Sequence, residues 1–144
     1  MNIDSDQPFR LFVYGTLLPS ESNYRLIERH VRSARPATIE EVLVDLGAFP
    51  ALIPGDGIVE GVLLELASEA MAITDRLEGF HPGDDHSLYV RKEVRAQLDD
   101  EQEVQAWTYE YGNPSTIGDR RRLVLDETPE KSVFAWHGKS DLQP

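Results

Sequence analysis

Phe9-Arg10-Leu11-Phe12-Val13-Tyr14-Gly15-Thr16-Leu17 is the stretch from which the rest of the chain is read. From Phe9 to Tyr14 only Arg10 is polar, and strand-forming aromatic and apolar residues dominate. Such side chains suit a pleated, buried surface. The run has the length of a strand rather than a helix. It ends at Gly15, which predicts a buried first strand entering a tight turn.

Outward from that turn, Pro19 to Ser22 leads into Leu26, Ile27, His30 and Val31 at helical spacing, with Ser20 or Ser22 as the N-cap. Thr38 to Asp45 reads as a second strand, and Gly47, Pro50, Pro54, Gly55 and Gly57 read as a loop. Ile58 to Leu66 alternates as a third strand, with Gly61 marking a bulge or a close backbone approach. Ser68 is placed to cap a short helix over Glu69 to Leu77. Ala70, Ile73, Thr74 and Leu77 share its face, and Gly79 marks its end. Tyr89 to Leu98 and Val104 to Tyr111 read as paired strands joined at Asp99 to Gln102. Ala106, Thr108 and Glu110 share a face, and the pattern leaves open which face is inward. In the charged tail, Phe134, Trp136 and Leu142 are candidates for docking onto the body.

Five strands with two or three short helices predict an α+β (mixed α/β) fold. Closing the strands into a small five- to six-stranded β-barrel removes exposed edges. A chain of 144 residues suits one domain. The expected division is a core over about 9–118 and an extension over 119–144. The formal net charge of −12 argues against nucleic acid and anionic membranes, which recruit clustered Lys and Arg. The absence of cysteine excludes disulfides and thiolate chemistry. The acidic N-terminus does not read as a signal peptide, and no apolar run has the length of a membrane span. A cytoplasmic protein is expected. Neither monomer nor homodimer is favoured.

Several segments, taken in order, resemble the γ-glutamylcyclotransferase-like family, which includes the γ-glutamylamine cyclotransferases and the AIG2-like proteins. They are Phe12-Val13-Tyr14-Gly15-Thr16-Leu17, Gly47-Ala48-Phe49-Pro50-Ala51-Leu52, Val59-Glu60-Gly61-Val62-Leu63, Asp75-Arg76-Leu77-Glu78-Gly79-Phe80, Leu88-Tyr89-Val90-Arg91 and Ala106-Trp107-Thr108-Tyr109. The resemblance runs from about Phe9 to Gly118. It departs at Gly118-Asp119, where Arg120 stands in place of the family's frequent Trp. It implies a small mixed barrel with flanking helices. It also implies a reaction in which the α-amine of a small γ-glutamyl compound attacks its own γ-carbonyl, releasing 5-oxoproline and a free amine. No cofactor or metal is implied, since nucleophile and electrophile lie in one molecule.

The same resemblance implies Glu78 as the catalytic acid/base, and Tyr14, Gly15, Thr16 and Leu17 as a cradle for the substrate's α-carboxylate. A free Glu (pKa about 4.3) is a poor base for an α-ammonium (about 8), the gap being worth about 5 kcal/mol. Burial would raise the carboxyl and narrow that gap, and Leu77 and Phe80 adjoin it in sequence. Read without the family, Glu78 is a helix-end carboxylate, solvated or paired with Arg76, and the Tyr14 to Leu17 turn is an ordinary strand-to-turn junction. Tyr89 and Tyr109 fit substrate or Glu78 orientation through their hydroxyls as well as plain half-buried packing. Arg91 reads as a salt-bridge residue before a carboxylate anchor. His81, Asp84, Asp85 and His86 sit in a Pro-Gly turn, where such residues are common for backbone reasons, and they read as turn rather than metal site. A non-catalytic binding module, or an amide hydrolase using the same carboxylate, are the alternative activities.

Overall fold

The computed structural model describes residues 8–15, 17–19, 21–45, 50–81, 83, 89–112, 124–127 and 132–134. Seven strands and one α-helix appear among them: β1 (Phe9–Val13), β2 (Val31–Asp45), β3 (Pro50–Leu66), α1 (Ala70–Leu77), β4 (Tyr89–Leu98), β5 (Glu103–Tyr111), β6 (Val124–Glu127) and β7 (Ser132–Phe134). The strand order is β1-β5-β4-β2-β3, and β1 also pairs with β3, so these five close into a barrel. β1 runs antiparallel to β3 and parallel to β5, which makes the barrel mixed. β7 adds parallel to β3 at Ile58 and Val59, and β6 pairs with β7 outside it.

β1 is the central stave. Leu11, Phe12 and Val13 are all buried, because β1 is covered on both faces where it joins the barrel wall to the core. Its fit against β3 depends on Gly61. A Cβ there would lie 2.3 Å from the Val13 carbonyl oxygen and 2.7 Å from the Phe12 ring. The glycine expected to mark a close approach therefore does so, and it lets the β1–β3 seam shut. On the other side of β1, the Thr108 hydroxyl donates to the Phe12 carbonyl at 2.9 Å.

The first expected helix is instead two short 3-10 segments, Ser22–Leu26 and Glu28–His30, with Val31 already in β2. Ile27 between them is fully buried while Leu26 is exposed, so one anchoring contact replaces a continuous apolar stripe. β2 begins seven residues before the expected Thr38. Residues 32–36 are exposed, so no buried alternation announces them. They are strand because they pair with the apolar half of β3, from Val62 to Leu66.

The expected loop from Pro50 to Gly57 is also largely strand. Val42 to Asp45 pairs with Ile53 to Pro50, and Glu40 pairs with Ile58. Pro54 to Gly57 thus bulges from β3 opposite Glu41 alone, with Pro54, Gly55 and Asp56 exposed. The turn-forming residues Pro54 to Gly57 make only a bulge, because the pairing on either side holds the segment in the strand. α1 starts at Ala70, one residue later than expected. Its N-cap is Glu69, whose side chain makes no capping bond. Ala70 and Thr74 are buried, and Ile73 and Leu77 pack on the core beside them. No helix among the described residues is long and apolar enough to cross a membrane.

Candidate active site

α1 ends in a motif set by its sequence. Gly79 adopts φ 69°, the left-handed conformation a side chain resists. Its N–H donates to the Arg76 carbonyl (3.2 Å), and the Phe80 N–H donates to the Asp75 carbonyl (2.8 Å). This pair of bonds is a Schellman closure. Glu78 is the C-cap residue of the helix, at φ −89° and ψ 0°. The closure turns the chain at Glu78 and places it on the wall of a cavity of about 290 Å3.

Tyr14, Gly15 and Leu17 line the same cavity, as do Tyr89 and Tyr109. Thr16 lies outside the described residues, as do Gly47 to Phe49, Asp84 to Leu88 and residues 113–123. The turn after β1 closes through the Leu18 N–H donating to the Gly15 carbonyl at 3.0 Å. The segment after it is the five-residue 3-10 turn rather than an α-helix, so no helix dipole of consequence points at the turn. Asn23, Pro50 and Arg76 also line the cavity, although none had been singled out for it.

The Glu78 carboxyl has no hydrogen bond or ion pair among the described residues, and it is not paired with Arg76. Protein surrounds it except where it meets the cavity, and this burial pushes its pKa up to about 7. Residues of the barrel end, among them Tyr14, Tyr89 and Tyr109, line the cavity with it. Leu77 does line the cavity, but Phe80 lies against the Arg91 guanidinium, 5.4 Å from ring centre to carbon.

The tyrosines brace this wall. The Tyr14 hydroxyl donates to the Tyr109 carbonyl at 2.6 Å, tying the end of β1 to β5. Burial, and then the neighbouring Glu78 charge, hold its pKa well above that of a free phenol. The Tyr89 hydroxyl donates to the Pro50 carbonyl at 2.8 Å, joining the starts of β4 and β3, and burial followed by the Glu78 charge raises this phenol too. Both phenols therefore stay protonated at neutral pH.

Tyr109 has a different task. Its hydroxyl donates to Asp75 Oδ1 at 2.5 Å, and the Thr74 hydroxyl lies 2.7 Å from the Tyr109 hydroxyl oxygen. Asp75 also takes Arg91 Nε (3.0 Å) and Nη2 (3.4 Å) in a two-pronged ion pair. The guanidinium stands 4.8 Å over the Trp107 ring. The last turn of α1, which carries Glu78, is thus bolted to β4 and β5. Asp75 was visible only as part of the Asp75 to Phe80 segment. Its partners lie 16 and 34 residues away and leave no local signal.

The comparisons with known proteins agree with this fold. The family described as Gamma-glutamyl cyclotransferase, AIG2-like matches residues 11–130. The chain belongs to the γ-glutamyl cyclotransferase, AIG2-like family. It is similar to the Niallia circulans protein named gamma-L-glutamyl-butirosin B gamma-glutamyl cyclotransferase, at 33% identity over 112 residues, covering 76% of this chain and 71% of that protein. Among solved structures it is similar to a Mus musculus AIG2-like protein, with a TM-score of 0.57, 25% identity, and coverage of 72% and 77%. An Arabidopsis thaliana protein solved in solution gives a TM-score of 0.60 at 25% identity, with 75% and 71% covered. Membership in the γ-glutamyl cyclotransferase, AIG2-like family makes the chain an enzyme of cyclotransferase type.

Proposed function

We propose that the protein cyclises a small γ-glutamyl amine or peptide to 5-oxoproline and a free amine, with Glu78 as general acid/base. The observation that carries this reading is one carboxyl, without a partner among the described residues and raised to about 7, on the wall of a cavity of about 290 Å3 that Tyr14, Gly15 and Leu17 also line. That volume is near the lower end for ligand pockets and suits a substrate of dipeptide size.

In the proposed reaction the glutamyl part lies against the turn with its α-carboxylate toward the backbone of Gly15 and its neighbours. Its chain folds so that the α-amine reaches its own γ-carbonyl. Holding this conformer replaces much of the entropy a chance encounter would lose. Glu78 takes a proton from the amine, the new C–N bond forms, and the old C–N bond breaks. The departing nitrogen receives the proton from Glu78. A carboxyl at about 7 lies only about one unit below an α-ammonium, so the transfer costs about 1.4 kcal/mol instead of about 5. Tyr14 and Tyr89 stay neutral and shape the wall, and Tyr109 acts through Asp75 to hold the helix end.

The test incubates the protein with a panel of γ-glutamyl amines and dipeptides and follows products by mass spectrometry. The expected product is 5-oxoproline, lost in Glu78→Gln. Release of glutamate instead would mean that water attacks, and would replace this reading with a hydrolase.

A further inference from the structure

Arg91 meets the end of α1 at two points. Its Nε and Nη2 reach the Asp75 carboxylate at 3.0 and 3.4 Å, and its guanidinium carbon stands 5.4 Å from the centre of the Phe80 ring. These two residues are the ends of the closure that turns the chain, because the Phe80 N–H donates to the Asp75 carbonyl. Glu78 and Gly79 lie between them. One side chain from β4 therefore spans the segment that carries Glu78.

The guanidinium is itself held in place. Arg91 pairs with Tyr109 across β4 and β5, and the Tyr109 hydroxyl donates to the Asp75 oxygen that Arg91 Nε also reaches. Trp107 stands two residues from Tyr109 on β5, hence on the same face, and its ring lies 4.8 Å from the guanidinium carbon. Only 15% of the Arg91 side chain is exposed. An ion pair with Asp75 would not require either ring. A group that contacts a carboxylate and two rings at once is one that a lysine ammonium matches in charge but not in shape.

We propose that Arg91 is a positioning residue for Glu78: it clamps the closure at Asp75 and at Phe80, and so fixes the Glu78 carboxyl at the cavity wall. The effect on rate rests on the cyclotransferase reading above, and the effect on Glu78 itself does not. Burial is what raises that carboxyl to about 7. A loosened closure admits water to it and lowers its pKa, whereas the mere loss of a nearby cation would raise it.

The experiment compares the wild type with Arg91→Lys, which keeps the charge and loses the two-pronged geometry, and with Phe80→Leu, which removes the ring and leaves the Asp75 pair. Carboxyl 13C NMR, with the Glu78 signal identified by its loss in Glu78→Gln, follows the Glu78 titration without substrate. Steady-state kinetics on a γ-glutamyl dipeptide gives kcat and KM separately. In Arg91→Lys the midpoint is expected to fall from about 7 toward 4.5, and kcat about tenfold with KM held within about twofold. Phe80→Leu should move both in the same direction and by less, and it carries the test if Arg91→Lys does not fold. Reduced stability in urea with an unchanged midpoint and kcat would make Arg91 a structural ion pair only and overturn the proposal. A midpoint that rises would make it an electrostatic neighbour of Glu78 and overturn it as well. If the wild type forms no 5-oxoproline the cyclotransferase reading fails, and the NMR midpoint still decides on the clamp.

Discussion

Glu78 and Glu41 are both carboxyl groups raised by burial, yet their surroundings suit them to opposite ends. Glu41 stands at the register shift of β2, opposite the Pro54 to Gly57 bulge, and is 7% exposed. It hydrogen-bonds to Glu110, which in turn holds Lys92 at 3.0 Å. Burial, that hydrogen bond and the Glu110 charge push Glu41 up to about 9. The acid form is the one favoured beside the Glu110 carboxyl, and Glu41 Oε1 has no hydrogen-bond partner among the described residues. Glu78 has burial alone and stops at about 7. A group without a partner, titrating near neutrality and open to a cavity, can both accept and return a proton. A group locked in a pair cannot do so without breaking the pair. Burial sets the direction of both shifts, and partners decide whether the carboxyl remains free to react.

The largest test of this contrast is on rate. Glu78→Gln should lower 5-oxoproline formation at least about 100-fold, the usual contribution of a positioned acid/base. In the wild type the acidic limb of kcat/KM should have its midpoint near pH 7, where Glu78 loses its proton. A midpoint near 4.5 would break the contrast by making Glu78 an ordinary solvated carboxylate.

Asp75→Asn removes the anchor beneath Glu78 while leaving Glu78 in place. It strips Arg91 of its counter-charge and alters the acceptor of Tyr109 in a half-buried site. A loss of about 2–3 kcal/mol by urea unfolding is expected. The rate should fall by about tenfold as the end of α1 loosens. Unchanged stability would show that the helix end is held by packing alone.

The pH dependence of stability separates the two carboxyls further. Each native group keeps its proton after the unfolded chain has released it near 4.5, so stability falls as pH rises through that interval. For Glu78 the loss should accumulate up to about pH 7 and amount to roughly 2–3 kcal/mol, and Glu78→Gln should abolish it. For Glu41 it should continue to about pH 9. Urea unfolding between pH 5 and 9 resolves both windows.

The smallest effect is expected from Glu41→Gln at pH 7. The amide is neutral like the acid it replaces and keeps a donor for Glu110. Stability should change by less than about 1 kcal/mol, and turnover should stay within about twofold of wild type. The decline in stability between pH 7 and 9 should disappear. A large loss of turnover would draw the Glu41–Glu110 pair into the reaction and erase the distinction.

Much of the barrel was legible because its signals are local. The apolar run of β1, the alternation of β4 and β5, the hairpin at Asp99 to Gln102 and the glycine stop after α1 are all written within short windows. Gly61 was readable because a glycine inside a strand pattern has few other reasons to be there. The early half of β2 and the Pro50 to Ile53 part of β3 were not readable. Their strand character comes from a partner rather than from their own residues. The helix expected after Pro19 failed because Leu26 and Ile27 point to opposite environments, which spacing alone does not reveal.

For the site, the sequence by itself determined which residues were candidates and in what order they came. Their family resemblance needs only identities along the chain. The tertiary structure decided the rest. It brought Glu78 within the electrostatic reach of Tyr14, a residue 64 positions earlier. Among the described residues it left Glu78 without a partner while giving Asp75 two, and it set one carboxyl near 7 and another near 9. These are properties of burial and of contacts between distant segments. A carboxyl's pKa depends on what surrounds it once the barrel is closed, and no window of sequence contains that information.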